Sequence, residues 1–244
     1  MVDGTDRTHE YDSAIASTRS GKFADRVEAG RILAARLERL RVTYPVVLGL
    51  PRGGVAVAYQ VADALDAPLD VIVVRKLGVP SQPELAMGAI GEGGVCVLDK
   101  WVLAQSGVGG DELAEVESRE RNELAARLRR YRRGRDRHDL TGRAAIVVDD
   151  GVATGSTARV ACRIARNLGA SPIVLAVPVG PTDTLSIVGE ADEVVTVKEP
   201  ESFVAVGHHY IDFTPTGDDE VVDLLDRSAR RHGDATWPAG SVLS

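Results

Sequence analysis

The chain has 244 residues, of which 44% are hydrophobic, and its formal net charge is −7. This length and composition predict one packed α/β core with an inserted or appended subdomain. The acidic balance argues against a nucleic-acid partner, because phosphate backbones are bound by basic surfaces. No window approaches the roughly 18 uninterrupted apolar residues of a membrane helix, and the two cysteines lack metal-like spacing. We therefore expect a cytoplasmic protein that binds small molecules, with no membrane contact.

The first elements follow a polar N-terminal stretch. Residues 1–20 show no sustained hydrophobic period and predict a flexible tail. From Lys22 the apolar side chains recur at helical spacing, which predicts an amphipathic helix. A short β-branched run then begins at Tyr44 and ends in the loop PRGG (51–54), after which helical spacing resumes. This order predicts a strand, a glycine loop and a second helix.

Three further apolar runs predict strands that are covered on both faces. They lie at 71–74, 144–148 and 173–177, and each is continuously apolar rather than alternating. A predicted helix at 157–168, closed by Gly169, joins the second run to the third as a βαβ unit. Repeated units of this kind predict a mainly parallel sheet whose polar loops meet at the carboxyl ends of the strands.

The segment 80–140 interrupts this rhythm. It reads as a glycine-turned hairpin followed by a long charged helix, and predicts an inserted subdomain between two core segments, 21–79 and 141–226. A second flexible tail is predicted over 227–244. In the charged helix, acidic residues precede the arginines found between 127 and 137, which suits the helix dipole. This pattern favours a solvated helix over a polyanion site.

The most informative stretch is AAIVVDDGVATGST, residues 144–157. A loop of small residues between a strand and a helix presents backbone N–H groups at the positive end of the helix dipole, which suits one phosphate. Neither a GxxxxGK[ST] loop nor a GxGxxG fingerprint is present. The carboxylates of Asp149 and Asp150 would repel that phosphate unless they face sugar hydroxyls or a divalent cation. A ribose 5-phosphate satisfies both requirements.

This stretch resembles a known family. VVDDGVATGST is similar to the phosphoribosyl pyrophosphate (PRPP) signature of type I phosphoribosyltransferases, and GLPRGG and VVRKLG resemble two other loops of these enzymes. Together with FVAVGHHYIDF they resemble a bacterial branch for which the likeness leaves the substrate open. The resemblance implies an α/β fold: a parallel-sheet, Rossmann-like phosphoribosyltransferase core with an inserted small α+β subdomain.

The resemblance also implies roles in PRPP binding. Asp149 and Asp150 would bind the ribose hydroxyls and organise Mg²⁺, the expected cofactor. The 5-phosphate would be held by five consecutive residues: Ala153, Thr154, Gly155, Ser156 and Thr157. Pyrophosphate would be bound by the loop after the first strand: Arg52, Gly53 and Gly54. A cis peptide is expected at Arg52 or Gly53. Arg75 and Lys76 would add positive charge for the leaving group.

The acceptor half of the site is less determined. Ala153 stands where the hypoxanthine-guanine enzymes carry an aspartate, so another group would have to move the acceptor proton. Glu84, in a predicted closing loop after Lys76, is the candidate base. An acceptor pocket would be formed by three residues near the C-terminus: Lys198, Phe203 and Tyr210. The alternative, that the aromatic residues are core side chains of an edge strand, stays open.

The resemblance therefore implies an Mg²⁺-dependent glycosyltransferase of nucleotide metabolism. It would transfer the 5-phosphoribosyl group of PRPP to a nitrogen of a nucleobase-like acceptor and release pyrophosphate, and a homodimer is one assembly to test. Two other classes compete with this interpretation. One is a non-catalytic PRPP-sensing or nucleotide-sensing module of the same fold. The other is a phosphoacceptor receiver domain, which predicts a shorter chain and a further aspartate on a later strand.

Overall fold

The computed structural model describes residues 21–186 and 189–232, so the tail at 1–20 and the segment 233–244 lie outside the described residues. The helices are α1 (Arg26–Leu37), α2 (Gly53–Leu65), α3 (Lys100–Ser106), α4 (Gly110–Arg132), α5 (Ser156–Asn167), α6 (Thr182–Ser186) and α7 (Asp218–Arg231). The strands are β1 (Val46–Gly49), β2 (Leu69–Val71), β3 (Val74–Val79), β4 (Gln82–Gly91), β5 (Cys96–Leu98), β6 (Ala145–Val148), β7 (Ile173–Val179) and β8 (Glu193–Lys198).

The central sheet confirms the predicted α/β class. Its strand order is β2-β1-β6-β7-β8, and every neighbouring pair is parallel. All residues of β1, β6 and β7 are buried, which explains their continuous apolar runs. Helices α1 and α2 cover one face, with Leu33 and Val61 in the core, and α5 covers the other with Ala161 and Ile164. The carboxyl ends of all five strands therefore lie at one edge.

The hairpin predicted in the inserted segment is present, but the strand before it differs from the prediction. β3, β4 and β5 form a separate antiparallel sheet, with a turn at Glu92–Gly94 between β4 and β5. The predicted strand at 71–74 is divided, because β2 ends at Val71 and β3 begins at Val74. Beyond Val74 the chain alternates, and Leu77 is buried against α4. The predicted core segment 21–79 therefore includes β3, which belongs to the small sheet and not to the central one.

Most residues of the charged helix α4 are exposed, as the sequence favoured, but its C-terminal end forms ion pairs with other elements. Arg132 is largely buried at its end and binds the carboxylates of Asp70 and Glu92 at 3.0 and 2.7 Å. Other arginines of this region pair with α7: Arg130 with Asp218 and Asp219, and Arg133 and Arg135 with Asp226. The acids that satisfy these arginines are distant in the sequence, so helical periodicity alone could not reveal them. These contacts fix the inserted helix to β2 and α7.

The C-terminal boundary also needs correction. Helix α7 continues through the predicted start of the tail at 227 and ends at Arg231. Its Val221 and Leu225 are core residues, and Ser228 is buried. This packing extends the ordered helix beyond the predicted limit. Across 21–186 and 189–232, no helix combines the length and apolar content needed to span a membrane.

Replacing Arg132 by Met should lower the free energy of unfolding by roughly 3–5 kcal/mol, because two buried carboxylates lose their shared cation. Burial raises the pKa of Glu92 above 4.5, and Arg132 opposes that shift. Without Arg132 the pKa should rise further, so the folded state binds more protons and stability falls as pH increases above 4.5. Urea unfolding at about pH 5 and pH 8 should therefore show the larger loss at pH 8.

Arg121→Met is the matched control on the same helix. Arg121 pairs with Glu117 one turn away, and its side chain is more exposed than that of Arg132. An exposed pair of this kind contributes about 0.3–0.5 kcal/mol. Equal losses in the two variants, or a loss at Arg132 that does not grow with pH, would contradict the burial argument.

Candidate active site

The acid pair lies at the carboxyl end of β6, in the middle of the central sheet. Val148 ends the strand, and Asp149 and Asp150 follow as half-buried residues. The backbone N–H of Asp150 donates to Asp149 Oδ1 at 2.9 Å. The chain then crosses a short loop and enters α5 at Ser156. Both carboxylates are thus held at the edge where ligands of parallel sheets bind.

Burial makes it unfavourable for both carboxyl groups of this pair to be ionised at the same time. It raises the pKa of Asp149 well above its ordinary value, and the charge of Asp150 raises it further. Burial also raises the pKa of Asp150, against an opposing hydrogen bond and charge from Arg26. A cation or a set of hydroxyl donors at this position would offset the cost of ionising both groups.

The predicted phosphate loop forms the start of α5. Gly155 precedes the helix with φ of 73°, a conformation that side chains with a Cβ rarely adopt. No side chain caps the first turn of α5 at Gly155, so N–H groups at a helix N-terminus can bind an anion here. Ala153, Thr154, Ser156 and Thr157 are exposed around it. The loop can therefore receive one phosphate at a helix N-terminus.

The PRGG loop is pressed against the acid pair. β1 pairs with β6, so the loop after β1 and the acids after β6 are neighbours. The peptide bond between Pro51 and Arg52 is cis, and the family resemblance implied a cis peptide at Arg52 or Gly53. A Cβ on Gly53 would overlap the Asp150 carboxylate, and one on Gly54 would lie 2.8 Å from the Cα of Asp149. Only glycine at these two positions lets the loop approach the acid pair so closely. The Arg52 side chain, in contrast, is exposed to solvent.

Arg26 belongs to the site and was missed by the sequence analysis. Its Nε donates to Asp150 Oδ2 at 2.8 Å, and one terminal nitrogen donates to the carbonyl of Thr214 at 2.8 Å. Its guanidinium carbon lies 3.9 Å from the centre of the Phe213 ring. One signal was available: a cation in the first turn of α1 opposes the helix dipole and so calls for a partner.

Arg75 and Lys76 are not held together with the acid pair. They are consecutive on β3, so their side chains leave opposite faces of the small sheet. Arg75 binds Glu120 of α4 at 2.5 Å. Lys76 donates to the backbone carbonyl of Glu84 at 2.8 Å, and the Glu84 side chain is fully exposed. A cavity of about 410 Å³ lies between the β3–β4 hairpin and α4 and is lined in part by Arg75 and Lys76.

The predicted closing loop after Lys76 is instead part of a regular hairpin. Glu84 lies on β4, and a short turn at 80–81 connects that strand to β3. Backbone pairing, including Lys76 with Ala89, continues through most of the hairpin. The sequence signal of Pro and Gly therefore marked a tight turn and a bulge. The proton-transfer role of Glu84 remains a prediction.

The predicted acceptor residues lie at the end of β8 and beyond it, and they differ in exposure. Lys198 Nζ donates to the carbonyl of Gly21 at 2.5 Å and lies 3.9 Å from the centre of the Phe23 ring. Burial lowers the pKa of Lys198. Phe203 is half-buried and stacks on His209, with 5.3 Å between ring centres. Lys198 and Phe203 therefore remain candidates for contact with an acceptor.

Tyr210 does not fit the predicted stacking role. It is 3% exposed, and its ring packs against Phe23 and Phe213. Its hydroxyl donates to the backbone carbonyl of Asp150 at 2.6 Å. Tyr210 is therefore a core side chain, as the alternative had it, although it lies in an isolated bridge with Phe23 rather than in an edge strand. Its hydroxyl holds the acid loop in place. We call residues 203–214 the hood, because Val206 of this segment packs over Gly151 of the acid loop.

The acid pair fits a magnesium ion that takes few protein ligands. Within the described ranges, no three His, Cys, Asp or Glu side chains form a ready metal cluster. Mg²⁺ usually keeps several waters and binds one or two carboxylates together with substrate phosphates. Asp149 and Asp150 supply such carboxylates, and burial makes both costly to ionise without a cation. These residues could therefore share an ion that arrives with a phosphorylated ligand.

Comparisons with known proteins identify a family that matches this chain. The sequence model of the phosphoribosyl transferase domain family matches residues 24–210. Two relatives from Mycobacterium tuberculosis, strains CDC 1551 / Oshkosh and H37Rv, are named "Putative phosphoribosyl transferase MT0597" and "Putative phosphoribosyl transferase Rv0571c". Each is 56% identical over 214 residues, which is 87% of this chain and 48% of the relative. The chain thus spans about half the length of the curated relatives it matches.

A solved structure is similar over most of the chain. It is the crystal structure of TT1426 from Thermus thermophilus, with a TM-score of 0.72 and 42% sequence identity. The similarity covers 84% of this chain and 97% of TT1426. The family resemblance inferred from VVDDGVATGST and GLPRGG is confirmed. The chain belongs to the phosphoribosyl transferase domain family.

Proposed function

We propose that this chain is an Mg²⁺-dependent phosphoribosyltransferase that transfers the 5-phosphoribosyl group of PRPP to a nitrogen of a nucleobase-like acceptor. One observation carries the proposal: the PRGG loop, the acid pair and the N-terminus of α5 lie side by side at the carboxyl edge of the sheet. This order matches the order of diphosphate, ribose hydroxyls and 5-phosphate along PRPP. Membership of the phosphoribosyl transferase domain family supports it.

The donor would be held by groups with distinct charges. The 5-phosphate would accept hydrogen bonds from the first-turn amides of α5 and from the hydroxyls of Ser156 and Thr157. Asp149 and Asp150 would accept from the 2- and 3-hydroxyls of the ribose. The amides after the cis peptide and the side chain of Arg52 would face the diphosphate. When bound, Mg²⁺ would neutralise charge on the diphosphate and be held through the acid pair.

The reaction needs no nucleophile from the protein. The acceptor nitrogen would form a bond to C1 of the ribose as the bond from C1 to the diphosphate oxygen breaks, and diphosphate would leave with the bonding electrons. The acceptor N–H proton would pass to a base, for which Glu84 is the candidate. The protein would contribute alignment of the reactants and neutralisation of the leaving group. Lys198 and Phe203 would contact the acceptor.

A PRPP-sensing or nucleotide-sensing module is the second candidate, and the position of Arg75 favours it. Arg75, expected to neutralise the leaving diphosphate, is paired with Glu120. An enzyme would have to break this half-buried ion pair or manage without Arg75, whereas a sensor needs only ligand binding. Measuring pyrophosphate release with PRPP, Mg²⁺ and a panel of purines, pyrimidines and other amines separates the two. Release with any acceptor supports the transferase, and saturable PRPP binding without release supports the sensor.

Asp149→Asn should weaken PRPP binding in the presence of Mg²⁺ by about 10- to 100-fold. The substitution keeps the size of the side chain but removes a charge-assisted acceptor, which is worth roughly 1.5–3 kcal/mol. Isothermal titration calorimetry gives the affinity directly and does not require the acceptor to be known. Asp136→Asn removes an exposed aspartate elsewhere and should leave the affinity unchanged. Unaltered binding in Asp149→Asn would refute the proposed donor site.

Gly155→Ala should lower PRPP affinity about 10-fold, because a left-handed backbone costs a residue with a Cβ roughly 1–2 kcal/mol and the loop should shift to relieve it. Gly110→Ala is the control, since Gly110 starts α4 and a Cβ there would meet open space. Calorimetry with PRPP and thermal unfolding of both variants should show the affinity loss only at Gly155. Equal affinities would place the 5-phosphate elsewhere.

A further inference from the structure

The two members of the acid pair have different surroundings. Asp150 Oδ2 accepts a hydrogen bond from Arg26 Nε at 2.8 Å, in an ion pair whose side chains are only 11% and 16% exposed. Within the described residues, the only hydrogen bond to the Asp149 side chain comes from the backbone N–H of Asp150 to Oδ1. Asp150 is thus hydrogen-bonded to Arg26, whereas Arg26 acts on Asp149 only through its charge. Adjacent identical residues are therefore chemically unequal here.

Arg26 is fixed by contacts on several sides. It binds the acid loop through Asp150, the carbonyl of Thr214 at 2.8 Å and the face of the Phe213 ring. A side chain with this many fixed contacts loses little further freedom when a ligand arrives. A Cβ on Gly53 would also come within 2.8 Å of Arg26 Nε, so the PRGG loop closes the remaining side. The guanidinium is thus enclosed at the centre of the donor site.

We propose that Arg26 is a positioning residue that divides the work of the acid pair. It holds Asp150 as a fixed, charge-compensated acceptor for a ribose hydroxyl and leaves Asp149 as the carboxylate that responds to Mg²⁺. This inference rests on the proposed PRPP function. It assigns a role to a residue outside the three loops that carry the family resemblance.

The physical reason is competition for one carboxylate. A guanidinium already bound to Asp150 Oδ2 satisfies most of the negative charge of that group, so a divalent cation gains less there. Asp150 Oδ1 can still accept from a neutral hydroxyl without displacing Arg26. Asp149 forms no such ion pair among the described residues, and its Oδ1 accepts a hydrogen bond only from the backbone N–H of Asp150. The free energy gained by adding a cation is therefore larger at Asp149.

The same contacts link the donor site to the hood. Arg26 binds Thr214 and Phe213, and Tyr210 donates to the backbone carbonyl of Asp150 at 2.6 Å. Tyr210 therefore holds the backbone of Asp150 directly, and Thr214 holds its side chain indirectly, through Arg26. Removing Arg26 should loosen the ribose contact and the nearby hood together.

Isothermal titration of PRPP into the protein, with and without Mg²⁺, tests whether Asp149 and Asp150 have these separate roles. Each protein gives two affinities, and their ratio is the enhancement due to Mg²⁺. Arg26→Gln and Asp150→Asn should each lower PRPP affinity about 10-fold in both conditions and so keep the ratio of the unsubstituted protein. Asp149→Asn should reduce the ratio toward one. Arg31→Gln removes an exposed arginine from the same helix and should change neither value.

Non-additivity separates positioning from general destabilisation. The double variant Arg26→Gln/Asp150→Asn should bind PRPP about as well as either single variant, because both substitutions break one interaction. Arg26→Lys, which keeps the charge, should recover part of the affinity. Additive losses, or a Mg²⁺ ratio that falls in Arg26→Gln as it does in Asp149→Asn, would overturn the inference.

A failure of the proposed function has a different signature. If the unsubstituted protein does not bind PRPP, the proposed function is wrong and the division of the acid pair falls with it. If that protein binds PRPP and Arg26→Gln behaves like Arg31→Gln, the function stands and only the role of Arg26 is wrong. Thermal unfolding of all variants identifies any substitution that acts by unfolding the chain, and Arg26→Lys then carries the test.

Discussion

The candidate site depends on burying two adjacent carboxylates at the end of β6 without a full set of protein cations. The Asp149 and Asp150 side chains are kept near the sheet by the PRGG loop, which approaches so closely that Gly53 and Gly54 have no room for a Cβ. Their ionisation is costly because burial raises both pKa values. A ligand that brings hydroxyls and a cation would relieve this cost, and under the proposed function this relief would strengthen binding of the donor.

Much of the candidate site could be predicted from the sequence because it is local. A strand, two acids and a small-residue loop follow one another between 144 and 157, and the βαβ pattern places them at the ligand-binding edge. The central sheet was predicted for the same reason, whereas the cis peptide before Arg52 was expected only from the family resemblance. The residues that form this part of the site are neighbours in the sequence, so the strand and helix that they form also determine where they lie in the structure.

The remainder could not be predicted because it depends on distant partners. Arg26 reaches Asp150 across 124 positions, and Arg132 reaches Asp70 across 62. A periodic pattern records which face of a helix is polar, but it does not record which acid will meet each arginine. For the same reason Tyr210 resembled a ligand-stacking residue, whereas its ring lies in a small aromatic core and its hydroxyl supports the acid loop.

The pairing of the two outer segments of the described chain has a consequence for folding. Phe23 forms a bridge with Tyr210, and Arg26 bonds to Thr214 across 188 positions of sequence. Contacts of such long range close a large loop and form slowly compared with local turns. The sheet and its glycine loops can assemble first, while the electrostatic environment of Asp150 is completed only when the last segment docks. Folding intermediates of this protein should therefore contain native strands before the surroundings of Asp150 are complete.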